Sequence, residues 1–271
     1  MTQENTYRRV LTIAGSDSGG GAGIQADLKT IAANGCYGMT VITALTAQNT
    51  VGVSAIHAVP IGFVEAQMDA ILTDIGCDAV KIGMLFSPEL IRTVAEGLRR
   101  HGVKKIVLDP VMVAQSGDPL LQDEAVEALR QYLIPLADIV TPNLPEASVL
   151  LGRKILALEQ VEDAAVELAG LGCRSVLVKG GHLDSADCHD CLYLADEKRL
   201  VVLPGERIST RNNHGTGCTL SSAIASFLAR GQELEQAVLQ AKDYITGAIR
   251  AGADYRLGRG HGPVHHLYRV C

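Results

Sequence analysis

The sequence predicts an α/β fold: a mostly parallel central sheet with helices on both faces and a small β-hairpin. Three observations predict it. Short apolar runs alternate with helical segments through most of the chain, the pattern that lays strands side by side with helices packed over them. Glycines and polar residues gather where those runs end, at Gly15 to Asp17, Lys81 to Met84, Asp109, Asn143 and Lys179. The 271 residues, 47% of them hydrophobic, show no linker, repeat or low-complexity stretch, which favours one domain over 1–271.

Val10–Ala14 reads as the first strand, followed by the glycine-rich loop Gly15–Gly23 and a helix from Ile24 to Ala33, which Asn34-Gly35 closes. Met39–Leu45 and Val51–Val59 are β-branched and apolar, and read as strands. Pro60 opens a helix to about Ile75. Ala79–Ile82 is a strand, and Ser87-Pro88-Glu89 starts a helix with a cap, a proline and an acid at the positive end. Lys105–Leu108 is a strand ending in Asp109-Pro110, Gln122–Tyr132 a helix, and Ala137–Val140 a strand ending in Thr141-Pro142-Asn143. Helices follow at Glu146–Leu151 and Leu158–Ala169, then the strand Ser175–Val178, which ends in Lys179-Gly180-Gly181. Cys191–Leu194 and Arg199–Leu203 pair as a hairpin, and Cys218–Ala229 and Leu234–Ala253 are the last helices.

Composition narrows the function. A formal net charge of −6 without a basic stripe argues against nucleic acid as a partner. No apolar run approaches the length of a membrane span, and the polar N-terminus enters a strand directly, without the pattern of a signal peptide. Seven scattered cysteines in a chain of this size point to free thiols in a reducing cytosol, hence a cytoplasmic protein.

The chemistry centres on Asn213-His-Gly-Thr-Gly-Cys-Thr219. Two glycines alternate with small polar residues just before an apolar helix. The first N–H groups of a helix lack partners and lie at its positive end, a place suited to a phosphate. The simpler alternative is a plain helix start capped by Thr216 or Thr219. Cys218 favours the anion site, because a helix N-terminus lowers a thiol pKa. The loop Gly15–Gly23 is not a dinucleotide fingerprint, because Ala26 stands where the third glycine is needed, and no Gly-x-x-x-x-Gly-Lys-Ser/Thr occurs. It can still bring backbone close to a substrate, with Asp27 in the next helix placed to point into the same pocket. Asn143-x-x-Glu146 puts an amide and a carboxylate in one helical turn; it suits Mg²⁺ held with water and phosphates, and equally a helix cap. A lone lysine is usually a solvated surface charge, but Lys179 at a strand's carboxyl end in this fold is expected to face a phosphate. Cys188-His-Asp-Cys191 lacks a second pair at zinc-finger spacing and reads as a loop without function, and His261, His265 and His266 as packing of a terminal turn.

These residues resemble one family. Ala14-Gly-Ser-Asp17, Gly19–Lys29, Val41–Asn49, Lys81-Ile-Gly-Met84, Thr141–Glu146, Val178-Lys-Gly-Gly-His182, His214–Thr219 and Gly262–His266 are similar to the hydroxymethylpyrimidine/phosphomethylpyrimidine kinases of thiamine synthesis, in that family's order. The resemblance implies the ribokinase-like three-layer α/β/α fold, ATP and Mg²⁺ with room for a monovalent cation, and a cytoplasmic homodimer. It implies that Gln48, Gly15, Asp27 and Met84 hold the pyrimidine. Gly215, Gly217 and Cys218 would form the anion hole, with Cys218 as the base. Asn143 and Glu146 would serve the metal, and Lys179, Thr216 and Asp109 the nucleotide phosphates. A vitamin B6 kinase of the same superfamily and a pyrimidine-binding sensor without catalysis are the rival readings. A zinc module on Cys188 and Cys191 is a third.

Overall fold

The computed structural model describes residues 6–112, 123–155, 159–181 and 189–270. The chain begins with β1 (Arg9–Ala14), α1 (Gly23–Ala33), β2 (Tyr37–Ile42), β3 (Ala44–Gln48) and β4 (Val53–Ala58). Next come α2 (Ile61–Asp74), β5 (Ala79–Ile82), α3 (Pro88–Arg100), β6 (Ile106–Leu108) and α4 (Asp123–Ala128). The last of these continues as a π turn, Leu129–Leu133, and a 3₁₀ turn, Ile134–Leu136. β7 (Ile139–Val140), α5 (Leu144–Leu151), α6 (Glu159–Ala169), β8 (Ser175–Val178), β9 (Asp190–Leu194), β10 (Arg199–Leu203), α7 (Thr216–Ala229) and α8 (Leu234–Gly252) complete it.

Eight strands form one sheet in the order β10-β9-β8-β7-β6-β5-β1-β2. Pairing from β2 through to β8 is parallel, and β9 and β10 add antiparallel at one edge. The period of two sends neighbouring strand residues to opposite faces. Val80 and Ile82 join one core with α2, α3, α5 and α6, while Val10, Ala79 and Leu177 join another with α7 and α8. Lys81 lies between Val80 and Ile82 and so faces the α1 and α7 side. Among the described residues no helix is long and apolar enough to cross a membrane.

Met39–Leu45 is not one strand: the chain leaves the main sheet at Thr43, whose N–H bonds to Ala14 O and whose hydroxyl bonds to Met84 O. β3 and β4 then pair only with each other, as a two-stranded antiparallel ribbon. The expected hairpin at 191–203 does form, but as the antiparallel edge of the main sheet; the separate small hairpin is β3–β4. α7 begins at Thr216, two residues before the expected start. Gln122, Leu158, His182 and Cys188 lie outside the described residues, so the Cys188–Cys191 reading is left there; Cys191 itself is a buried free thiol on β9.

Candidate active site

The carboxyl ends of the strands open onto a cavity of about 920 Å³. Ligands in open parallel sheets bind outside those ends. The glycine loop, the β3–β4 hairpin, the strand ends with Asp109 and Lys179, and the start of α7 all contribute to its wall.

At the start of α7, Gly215 has φ +80°, and a side chain there would meet Gly21 O at 1.9 Å. Only glycine accepts both the left-handed backbone and that approach. No side chain caps the helix. Thr216 Oγ1 donates to Asn213 O (2.7 Å) and Thr219 Oγ1 to Gly215 O (2.8 Å), so neither hydroxyl accepts from a helix N–H. The N–H groups of Gly217 and Cys218 have no acceptor among the described residues, whereas Thr219 N–H is taken by Gly215 O. Two open donors at the positive end of a helix suit an anion. The plain-cap alternative is not what the structure shows.

Charged side chains meet this loop from the strand ends. A Cβ on Gly217 would lie 3.5 Å from both Asp109 Oδ2 and Lys179 Nζ. Lys179 Nζ is 3.3 Å from Asp109 Oδ1 and 4.0 Å from Glu146 Oε2. Ser221, one turn into α7, donates to Asp109 Oδ2 at 3.2 Å. Burial opposes the charge on Lys179, but Asp109 and Glu146 outweigh it and hold its pKa above the usual lysine range. Burial pushes the Glu146 carboxyl up to about 7, with Asp109 adding to the rise and Lys179 opposing it. Asn143 and Glu146 form a full capping box: Asn143 N–H donates to Glu146 Oε2 (2.8 Å) and Glu146 N–H to Asn143 Oδ1 (2.9 Å). Each side-chain oxygen in the box accepts one backbone N–H, so Asn143 and Glu146 are held by the helix start whatever else they bind.

Cys218 is half-buried at the cavity wall, and its thiol does not have the lowered pKa expected of a helix start. Burial pushes it up to about 11, with Asp27 and Asp109 adding to the rise; Lys81 and the Gly23 N–H oppose it. The loss of water around the sulfur outweighs the Lys81 charge and the Gly23 N–H.

Asp27 also departs from expectation. It is fully buried and is not on the cavity wall. Its Oδ1 accepts from Ser222 (2.6 Å) and Lys81 (3.0 Å), its Oδ2 from Thr12 (2.6 Å) and Lys81 (2.9 Å). The carboxylate therefore works beneath the site, as the partner of Lys81, which does reach the cavity. Burial opposes the Lys81 charge, but Asp27, Cys218 and Asp109 outweigh it and raise its pKa.

Gln48, Gly15 and Met84 do line the cavity. A Cβ on Gly15 would sit 2.8 Å from Met84 Cε, so the glycine leaves room for the methionine. Gln48 Oε1 accepts from Thr46 Oγ1 (3.2 Å), and its amide nitrogen lies 3.4 Å from His214 Nε2. His214 Nε2 is in turn 2.9 Å from Asp17 Oδ2. Asp17 also accepts from the N–H groups of Gly19, Gly21 and Ala22. Burial raises its pKa, but the His214 contact and those N–H bonds win and lower it. This clasp between the glycine loop and the anion loop escaped the sequence reading, although both residues stand in motifs it singled out. The wall formed by 205–210 and Lys242, which pairs with Asp190, carried no motif at all. His265 and His266 pack the terminal turn as expected: His265 N–H bonds to Ala248 O, and buried His266 accepts from Tyr244 Oη at its carbonyl.

The family model for phosphomethylpyrimidine kinase matches residues 17–265. The chain belongs to the phosphomethylpyrimidine kinase family. It is 54% identical over 260 residues to the hydroxymethylpyrimidine/phosphomethylpyrimidine kinase of Rhizobium meliloti, covering 96% of this chain and 97% of that one. It is also 54% identical over 258 residues to the thiamine biosynthesis bifunctional protein ThiED of Geobacter sulfurreducens, where it spans 95% of this chain but only 52% of the relative. Among solved structures, the phosphomethylpyrimidine kinase of Clostridium difficile superposes with a TM-score of 0.79 at 48% identity, covering 89% of this chain and 99% of that one. An ADP complex of Bacillus subtilis pyridoxal kinase superposes with a TM-score of 0.90 at 38% identity, covering 98% and 100%. The fold is the ribokinase-like α/β/α sandwich.

Proposed function

We propose that the protein phosphorylates 4-amino-5-hydroxymethyl-2-methylpyrimidine from ATP, and then its monophosphate to the diphosphate, in thiamine biosynthesis. The observation that carries this reading is the presence, in the wall of one cavity, of a helix start with open N–H groups beside Lys179 and of a side-chain amide, Gln48. The first suits a transferring phosphate, the second a ring nitrogen beside an exocyclic amine.

The transfer is in-line and depends on positioning and charge stabilisation. The Gly217 and Cys218 N–H groups hold the phosphoryl oxygens, and Lys179 offsets their charge, with Thr216 and Asp109 beside them. Gln48, Gly15 and Met84 fix the ring so that its hydroxymethyl oxygen points at the phosphorus. That oxygen forms the new P–O bond as the bond to the ADP oxygen breaks, and its proton passes to Cys218 Sγ. A protonated thiol cannot accept it, so the reactive form is the minor thiolate. The monophosphate is already ionised and does not need a base. The donor set fits Mg²⁺: Glu146 would supply one buried carboxylate beside the open helix start, with phosphate oxygens and water as the other ligands. Mg²⁺ bound there supplies further charge neutralisation.

Free cysteines among the described residues support a cytoplasmic setting, and the exposed apolar side chains Leu45 and Phe63 on and beside the β3–β4 ribbon support a homodimer. The rival reading, a pyridoxal kinase, has the superposition on the Bacillus subtilis enzyme in its favour. One assay of ATP consumption with hydroxymethylpyrimidine, its monophosphate and pyridoxal tests both readings. Turnover of pyridoxal alone would sink the pyrimidine reading, and binding without turnover would leave a sensor.

A further inference from the structure

The C-terminal segment Gly258–Pro263 touches two loops that border the cavity, the tip of the β3–β4 hairpin and the loop that opens α7. On one side it grips the tip of the β3–β4 hairpin. Thr50 O accepts from His261 N–H at 2.9 Å, and Thr50 Oγ1 accepts from the N–H groups of Arg259 and Gly260, each at 3.2 Å. On the other side Gly262 O accepts from His214 N–H at 3.0 Å, and His214 and Pro263 form a parallel bridge. The contact is close enough to dictate composition. A Cβ on Gly258 would lie 2.2 Å from Thr50 Oγ1, one on Gly260 1.8 Å from Thr50 O, and one on Gly262 2.1 Å from Asn212 Oδ1. Any side chain at these three positions would push the strap off one loop or the other.

The hairpin needs such a tie. β3 and β4 share no ladder with the main sheet. The glycine loop holds β3 on one side, through Ser16 N–H to Ala44 O and Ser18 Oγ against the backbone of Gln48. The tip beyond Gln48 is tied to the rest of the molecule at Thr50.

We propose that the strap Gly258–Pro263 is a positioning element that sets the separation of Gln48 from the Cys218 loop, and that Thr50 is the positioning residue through which it acts. The inference takes its substrate from the proposed function. Thr50 touches no reactant; it holds the turn that carries Gln48, and the same strap holds His214 at the mouth of the anion loop. Loosening the turn that carries Gln48 weakens the hold on the pyrimidine without weakening nucleotide binding.

The test compares Thr50→Val and Thr50→Ala, which remove the acceptor hydroxyl, with Thr50→Ser, which keeps it. Amide hydrogen exchange over 44–58 reads the tie without substrate, and KM for pyrimidine and for ATP reads its consequence. Loss of two hydrogen bonds should raise the pyrimidine KM about tenfold. Exchange in the hairpin should quicken, the ATP KM should stay within about twofold of wild type, and Thr50→Ser should restore both. Wild-type exchange in Thr50→Val and Thr50→Ala would overturn the proposal, as would a parallel rise of both KM values. If the wild-type enzyme turns over no pyrimidine, the proposed function fails, while the exchange rates still decide whether the strap ties the hairpin.

Discussion

Lys81 Nζ lies 3.0 and 2.9 Å from the two carboxylate oxygens of Asp27, and both side chains are wholly shielded from solvent. A buried pair of this kind is weak evidence for stability but expensive to break on one side, since the surviving carboxylate keeps only the hydroxyls of Thr12 and Ser222, with no water and no counter-charge at contact. Lys81→Met should therefore destabilise the fold by about 3–5 kcal/mol, whereas Lys81→Met with Asp27→Asn should recover most of that loss. Denaturant unfolding of the two variants checks this. Equal destabilisation would show that the lysine matters through its packing and not through its charge.

The thiol of Cys218, pushed up to about 11, gives the first phosphorylation a pH signature. Below that value the thiolate fraction grows about tenfold per pH unit. The rate with the alcohol should rise with pH through the neutral and mildly alkaline range, while the rate with the monophosphate should not follow it. Cys218→Ala should abolish the rise and slow the alcohol step by roughly 10²–10⁴-fold, the usual loss for a general base. Single-turnover rates at several pH values for each acceptor decide the matter. Equal loss of both steps in Cys218→Ala would mean that the side chain shapes the anion hole instead.

Gly217→Val should damage both steps. The added Cβ would stand 3.5 Å from Asp109 and Lys179, and its branched side chain would fill the space in front of the two open N–H groups. Nucleotide affinity and both single-turnover rates should fall together. A variant that lost only the alcohol step would place the phosphate elsewhere.

Gln48→Leu should raise the pyrimidine KM and leave the ATP KM nearly unchanged. Leaving a buried polar edge unsatisfied costs about 1–3 kcal/mol, or roughly 5- to 150-fold in affinity. An unchanged pyrimidine KM would remove Gln48 from the binding site.

Glu146 has two roles that one substitution can separate. Its Oε2 accepts from Asn143 N–H in the capping box, and its carboxylate is the candidate metal ligand. Glu146→Gln keeps an oxygen for the cap and removes the charge. It should leave the melting temperature close to wild type and shift the Mg²⁺ titration of activity to higher concentration. An unmoved titration curve would reduce Glu146 to a helix-start residue.

The sequence by itself determined most of the strands and helices, because apolar period, caps and glycine stops are local signals. Asp109, Asn143 and Lys179 could be placed at the cavity for the same reason: each follows an apolar run directly, and the carboxyl ends of parallel strands all open to one side. The open helix start at Gly217 and Cys218 was legible from two glycines and a small-residue run. Tertiary structure alone decided what those residues experience. Lys81 is 54 positions from Asp27 and Ser222 is 195, so nothing local could show that the carboxylate expected at the substrate is occupied beneath it. The protonation of Cys218 depends on how much water the fold removes and which charges it brings near, and both come from distant segments. β3 and β4 have strand-like composition, but whether a strand joins the main sheet depends on which partner offers it a ladder. Thr50 and the strap near the C-terminus meet across more than two hundred residues, and such a contact exists only once the sheet, α7 and α8 are in place.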